Sequence, residues 1–181
     1  MRADHRWLVV FAGNAVFLFL VSQLNHYLTD FSFFGLAHGQ AYLFLPGLPL
    51  AFTALRLNLR PAVVTTVATA LALEAMLPLR SGAILLPAAA CVCVTISLRT
   101  GFNRFEASTA VLAALIMNLV LLLAITIVTY SAGGVSLSRV ALDLLFSQLA
   151  VALLTGWFFA AQTALLELFG FSIETELREP V

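Results

Sequence analysis

The side chain best placed to do chemistry is Glu74. It sits near the end of an apolar run, and Pro78, Arg80 and Gly82 follow it in LEAMLPLRSG, residues 73–82. A charge at bilayer depth costs about 2.5–3.5 kcal/mol on the milder scales, so such a residue faces other helices or water, not lipid. Asp30, Arg139 and Asp143 join Glu74 and Arg80 at one membrane surface when the apolar runs are threaded as spans. Two readings are open for this group: a polar pocket or partner patch, or ion pairs that finish helix ends. Arg139 and Asp143 are four apart, which suits a local, exposed pair of small worth. Glu74 stays open between function and architecture, with Arg80 as its expected partner across a turn at Pro78. Asn14 and Asn118 are amides deep in apolar runs. Each must find a hydrogen bond or bear the cost of desolvation, and both are expected to fix helix register.

Few other chemistries have residues to run them. Cys91 and Cys93 are two apart in an apolar run and point to different helix faces, which suits neither a disulfide nor a thiolate metal pair. His5, His26 and His38 fall in three separate places, and no HExxH or CxxC pattern occurs. Every one of the nine cationic residues is arginine, so a P-loop and a Schiff base both lack their lysine. No two carboxylates share a motif, and Ser81 and Ser131 have no histidine near them in sequence. The expectation is a protein with no catalytic residues, metal or cofactor. Formal net charge is zero, which leaves nucleic-acid binding without an electrostatic basis.

The elements that position these residues are membrane spans. Hydrophobic residues make up 62% of the 181 and charged residues 10%, and mean hydropathy is +1.04. That composition belongs to an integral membrane protein. A span needs about 20 residues, so residues 1–181 form a single transmembrane domain with no room for a soluble one. Six spans are expected, at about 7–24, 39–55, 61–77, 82–98, 107–130 and 137–169. The first is too long for a signal-peptide core and reads as an uncleaved anchor. The second holds Pro46 and Pro49; the expected outcome is a kinked packing helix, the alternative a break that lines a cavity. In the third, Ala62, Thr66, Ala70 and Glu74 step by four, a small-residue stripe that lets another helix approach. The sixth exceeds what a membrane needs and must tilt or project.

Arginine distribution sets the orientation. Arg2, Arg6, Arg56, Arg60, Arg99, Arg104 and Arg178 fall at one end of this arrangement, and only Arg80 and Arg139 at the other. By the positive-inside tendency both termini are cytoplasmic.

A multi-span chain with a carboxylate ending the third span and a glycine eight residues on, here Glu74 and Gly82 in ALALEAMLPLRSG, resembles the rod shape-determining membrane protein MreD family. The family more often has Asp at the carboxylate. The arginine-bracketed turn before span three and the basic turn before span five also fit. The resemblance, over about residues 7–168, implies a non-enzymatic scaffold of the bacterial elongation machinery in the plasma membrane. Its implied partners are a bitopic MreC-like protein and, through it, the MreB cytoskeleton and the peptidoglycan synthases. It also implies a six-helix bundle similar to the S components of energy-coupling-factor vitamin transporters. Such an S component is the alternative function, although Ala12 and Ala15, three apart, do not give the four-residue alanine spacing usual in its first span.

Overall fold

Four apolar runs fold as helices long and apolar enough to cross a membrane: Arg6–Tyr27, Leu59–Met76, Ala107–Val128 and Ser138–Leu168. They belong to a computed structural model that describes residues 5–30, 42–76, 82–130 and 137–171. Among these residues the elements are α1 (Arg6–Asp30), α2 (Gly47–Arg56), α3 (Leu59–Met76), α4 (Leu85–Leu98), α5 (Ala107–Tyr130) and α6 (Leu137–Leu168), with a 3₁₀ turn at Arg99–Gly101. Arg80, Asp30's side chain and His38 lie outside what is described.

Large apolar side chains face outward, and amides and hydroxyls lie buried among the apolar core residues. Leu86, Leu153 and Trp157 are more than 60% exposed, while Asn14, Asn118, Ser147 and Thr155 are fully buried. In water this arrangement would be costly twice over. In a bilayer the apolar faces meet lipid and the amides meet one another. The chain is therefore a multi-pass membrane protein.

The second expected span differs most from its reading. Among the described residues of that span helix begins at Gly47, and α2 is 10 residues long, about 15 Å at 1.5 Å per residue. Pro46 is its N-cap and Pro49 lies in its first turn, where a missing N–H leaves no intrahelical bond unmade. The prolines start a helix and do not kink one. Gly47–Leu55 are all buried, so α2 is a helix apolar on every side and enclosed by the others. α5 is the neighbour it packs on most closely, with α3, α4 and α6 completing its surroundings. Phe52 sits edge-on to Phe159 at 5.2 Å and to Phe158 at 6.3 Å, and Phe158 meets Phe17 of α1 at 4.7 Å. This aromatic cluster ties α1, α2 and α6 together.

Ala62, Thr66 and Ala70 are buried within the chain, where α3 packs on α1 and α4. The small-residue stripe is thus consumed by internal contacts and is not a free groove for a partner helix. α6 is 32 residues, about 48 Å against a hydrocarbon core of about 30 Å. It ends at Gly170, φ +77°. The Gly170 N–H donates to Glu167 O and the Phe171 N–H to Leu166 O, both at 2.9 Å, the paired C-terminal bonds of a glycine-stopped helix.

Candidate functional site

Glu74 is a helix cap supplied by another helix. Its Oε2 accepts the Gly82 N–H at 2.9 Å, and its Oε1 accepts the Ile84 and Leu85 N–H groups at 2.8 and 2.9 Å. These amides open α4, whose own cap residue, Ile84, offers no side-chain bond. The first amides of a helix have no internal partners, and a carboxylate there also meets the positive end of the helix dipole. Gly82 has φ +90°, a conformation that keeps its N–H turned to the carboxylate at little cost only without a Cβ. The acid and the glycine eight residues apart are therefore one hydrogen-bonded unit.

All three partners of Glu74 are donors, which ranks substitutions. Glu74→Gln puts an NH2 group where an acceptor is needed and loses the charge; Glu74→Leu loses everything. Caps are worth about 0.5–2 kcal/mol, so thermal stability in detergent is expected to fall in the order Glu, Gln, Leu. Equal melting temperatures for the Gln and Leu variants would refute the cap.

The second polar cluster is built on the extended segment before α2. Among the described residues no strand lies beside Tyr42, Leu43 and Phe44, and side chains take a strand's place. The Tyr42 N–H donates to Asp143 Oδ1 at 2.8 Å, the Phe44 N–H donates to Ser147 Oγ at 2.9 Å, and the Ser147 hydroxyl donates to Tyr42 O at 3.3 Å. On the opposite side Asn25 makes both bonds to Leu43, accepting its N–H and donating to its C=O, each at 2.8 Å. The alternation is that of a strand, in which successive peptide groups point to opposite edges. Further in, Gly47 donates its N–H to Asn118 Oδ1 at 3.1 Å. Irregular backbone at membrane depth is tolerated only when protein satisfies it, and α1, α5 and α6 do so here. Arg139 is within Coulombic reach of Asp143, but the carboxylate is committed to the Tyr42 amide and does not serve merely as half of a local pair.

A third cluster links helices at mid-core. The Asn14 amide donates to Thr69 Oγ1 at 3.2 Å and accepts from Gln162 Nε2 at 3.0 Å. α1, α3 and α6 are joined at that level, as register residues would join them.

A cavity of about 40 Å³ lies between α1, α3 and the extended segment, lined by Ser22, Asn25, Tyr42–Pro46, Leu73 and Met76 among others. It realises the alternative reading of Pro46: a helix break beside a cavity. Among the described residues no group of three or more His, Cys, Asp or Glu side chains could hold a metal ion.

Comparison with known proteins names no relative. No protein-family model, curated protein or solved structure matches the chain.

The structure brings Asn118, Pro46 and Asp143 to one segment, pairs Glu74 with Gly82, and leaves Pro49 inside α2. Asn25, Ser147, Thr69 and Gln162 carry as much of this network and were not singled out by sequence. A signal for two of them exists: Asp143, Ser147, Val151, Thr155 and Gln162 fall on one face of α6 at helical spacing, a polar stripe in a helix otherwise rich in Leu and Ala.

Proposed function

We propose that the chain is a non-enzymatic membrane scaffold similar to MreD, working in the bacterial elongation machinery that maintains rod shape. The observation that carries the proposal is the use to which the polar residues are put. Glu74 serves the amides of α4. Asn25, Asn118, Asp143 and Ser147 serve the backbone of 42–47. Asn14 and Gln162 serve each other. The Glu74–Gly82 unit, on which the resemblance rests, supports a shared local architecture.

In this proposal the chain crosses the plasma membrane six times with both termini cytoplasmic. Tyr42–Leu45, ahead of the Pro46 cap, add about 13 Å at 3.3 Å per extended residue to the 15 Å of α2, together close to the thickness of a hydrocarbon core. Reporter fusions at both termini are expected to read cytoplasmic; an external C-terminus would reverse the arrangement. The partner is a bitopic MreC-like protein, with MreB and the wall synthases reached through it. Affinity purification of the full chain from native membranes should recover that single-span partner. Recovery of an ATPase module in its place would point to the transporter S component.

The cavity beside Tyr42–Pro46 is the feature that favours the S-component reading. Its 40 Å³ is small against the roughly 300–1,000 Å³ of drug-sized ligand sites. Isothermal titration with riboflavin, thiamine or biotin is expected to show no binding at micromolar affinity; saturable tight binding would overturn the scaffold.

A further inference from the structure

Arg56, Arg99 and Arg104 gather where α2 ends, and nothing described neutralises them. Arg99 Nη1 donates to Leu57 O at 2.7 Å and reaches Ala54 O at 3.4 Å, closing the C-terminus of α2. The Arg56 guanidinium lies 4.6 Å over the Phe105 ring and 5.8 Å from that of Phe159. Its Nε is buried with no hydrogen-bond partner. Arg104 stands in a turn fixed by Asn103, whose Oδ1 accepts the Phe105 N–H at 3.2 Å and whose O accepts the Glu106 N–H at 3.0 Å. Burial, and then the charge of Arg104, push both the Arg56 and Arg99 guanidinia below their ordinary values. Arg104 is thus within electrostatic reach of both, and Arg56 stacks on Phe105, the neighbour of Arg104 in the chain. Among the described residues no carboxylate forms an ion pair with any of them.

Three half-buried cations without a counter-charge are unfavourable unless an anion completes the site. The surroundings say which kind. Leu59, Leu98, Phe102 and Phe105 are 45–57% exposed and rim the cluster with apolar surface. A soluble anion would leave that rim wet. An acidic phospholipid places its phosphate among the guanidinia and its acyl chains along the rim, and basic pockets between helices at a membrane surface recognise such head groups. Arginine's planar fork suits the phosphate oxygens.

We propose that the end of α2, with Arg56, Arg99 and Arg104, is a binding site for the phosphate of an acidic phospholipid. The test is thermal stability of the full chain, purified in neutral detergent, titrated with phosphatidylglycerol, phosphatidylcholine, inorganic phosphate and a glutamate-rich peptide. Phosphatidylglycerol alone is expected to raise the melting temperature saturably. Arg104→Gln, in a surface turn, should raise the half-maximal lipid concentration about fivefold, the effect of one interfacial arginine, while Arg139→Gln at the opposite end leaves it unchanged. No shift with phosphatidylglycerol overturns the site. An equal shift with phosphate or peptide would assign the cluster to a soluble anion or an acidic protein. An equal loss in the two arginine variants would reduce it to general charge attraction.

Discussion

Gly47→Ala is expected to be among the most damaging single-methyl changes in this protein. A Cβ at Gly47 would lie 2.5 Å from Asn118 Cβ and 2.6 Å from both Ala114 O and Asn118 N. Two of these atoms are α5 backbone, which cannot swing aside. Either α2 withdraws from α5 or α5 bends, and withdrawal also lengthens the 3.1 Å bond from Gly47 N–H to Asn118. Overpacking costs about 1–3 kcal/mol, occasionally more, and this case adds a weakened buried bond. At about 2–4 °C per kcal/mol for a chain of this size, the melting temperature should drop by roughly 5–10 °C. Two other glycines calibrate the result. Gly13→Ala would first meet the Gln162 side-chain amide, at 2.6 Å, and should be milder because a side chain can shift where backbone cannot, at the cost of its bond to Asn14. Gly156 has nothing within 4 Å of its would-be Cβ, so Gly156→Ala should be neutral or gain up to about 1 kcal/mol of helix propensity. If Gly47→Ala melts with Gly156→Ala, the close approach of α2 to α5 is wrong.

Asn25→Leu should be as severe by another route. It removes both bonds to Leu43 and orphans a donor and an acceptor in a residue that no strand accompanies. An interhelical side-chain bond in a membrane averages only about 0.6 kcal/mol, because an unfolded helix finds other partners. That discount does not apply to extended backbone, whose peptide groups have no bonds of their own. Each orphaned buried group costs about 1–3 kcal/mol, so a loss of roughly 2–6 kcal/mol is expected, enough to empty the folded fraction in detergent. Asn25→Asp separates the two bonds. Its carboxylate still accepts the Leu43 N–H but has no proton for the Leu43 C=O, and it regains one when protonated. The protonated acid makes both bonds and the carboxylate only one, so folded protein should be recovered as pH falls. An Asp variant insensitive to pH between 7 and 4 would contradict the paired bonds.

The helices were legible because a lipid-facing helix advertises itself by composition. Spans one, three, five and six needed only length and hydropathy, and the arginines marked the ends. Glu74 and Gly82 stand together in the family resemblance but not as a cap, because a cap supplied by another helix depends on how α3 and α4 pack, which no local spacing specifies. Segment 42–46 was misread for the opposite reason. Tyr-Leu-Phe-Leu is as apolar as any span, and hydropathy does not distinguish an extended run from a helical one. What decides the matter is a set of acceptors on Asn25, Asp143 and Ser147, as far as 103 residues away. Pro46 and Pro49 carried the local warning. Read as helix starters and not as kinks, they place the N-terminus of α2 where it is found.

The borrowed hydrogen bonds of 42–47 impose an order on biogenesis. Asn25 is 18 residues upstream of Leu43 and already made when that residue emerges. Asn118, Asp143 and Ser147 come 71, 101 and 103 residues after their amide partners, a delay of roughly 4–20 s at about 5–20 residues per second. During that interval Tyr42, Phe44 and Gly47 hold unpartnered amides, and α2 lacks the α5 bed on which it lies. The segment cannot settle as an independent unit released sideways into lipid on its own hydropathy. It must be kept near water, or by the insertion machinery, until α6 is made, so α6 licenses α2 to take its place.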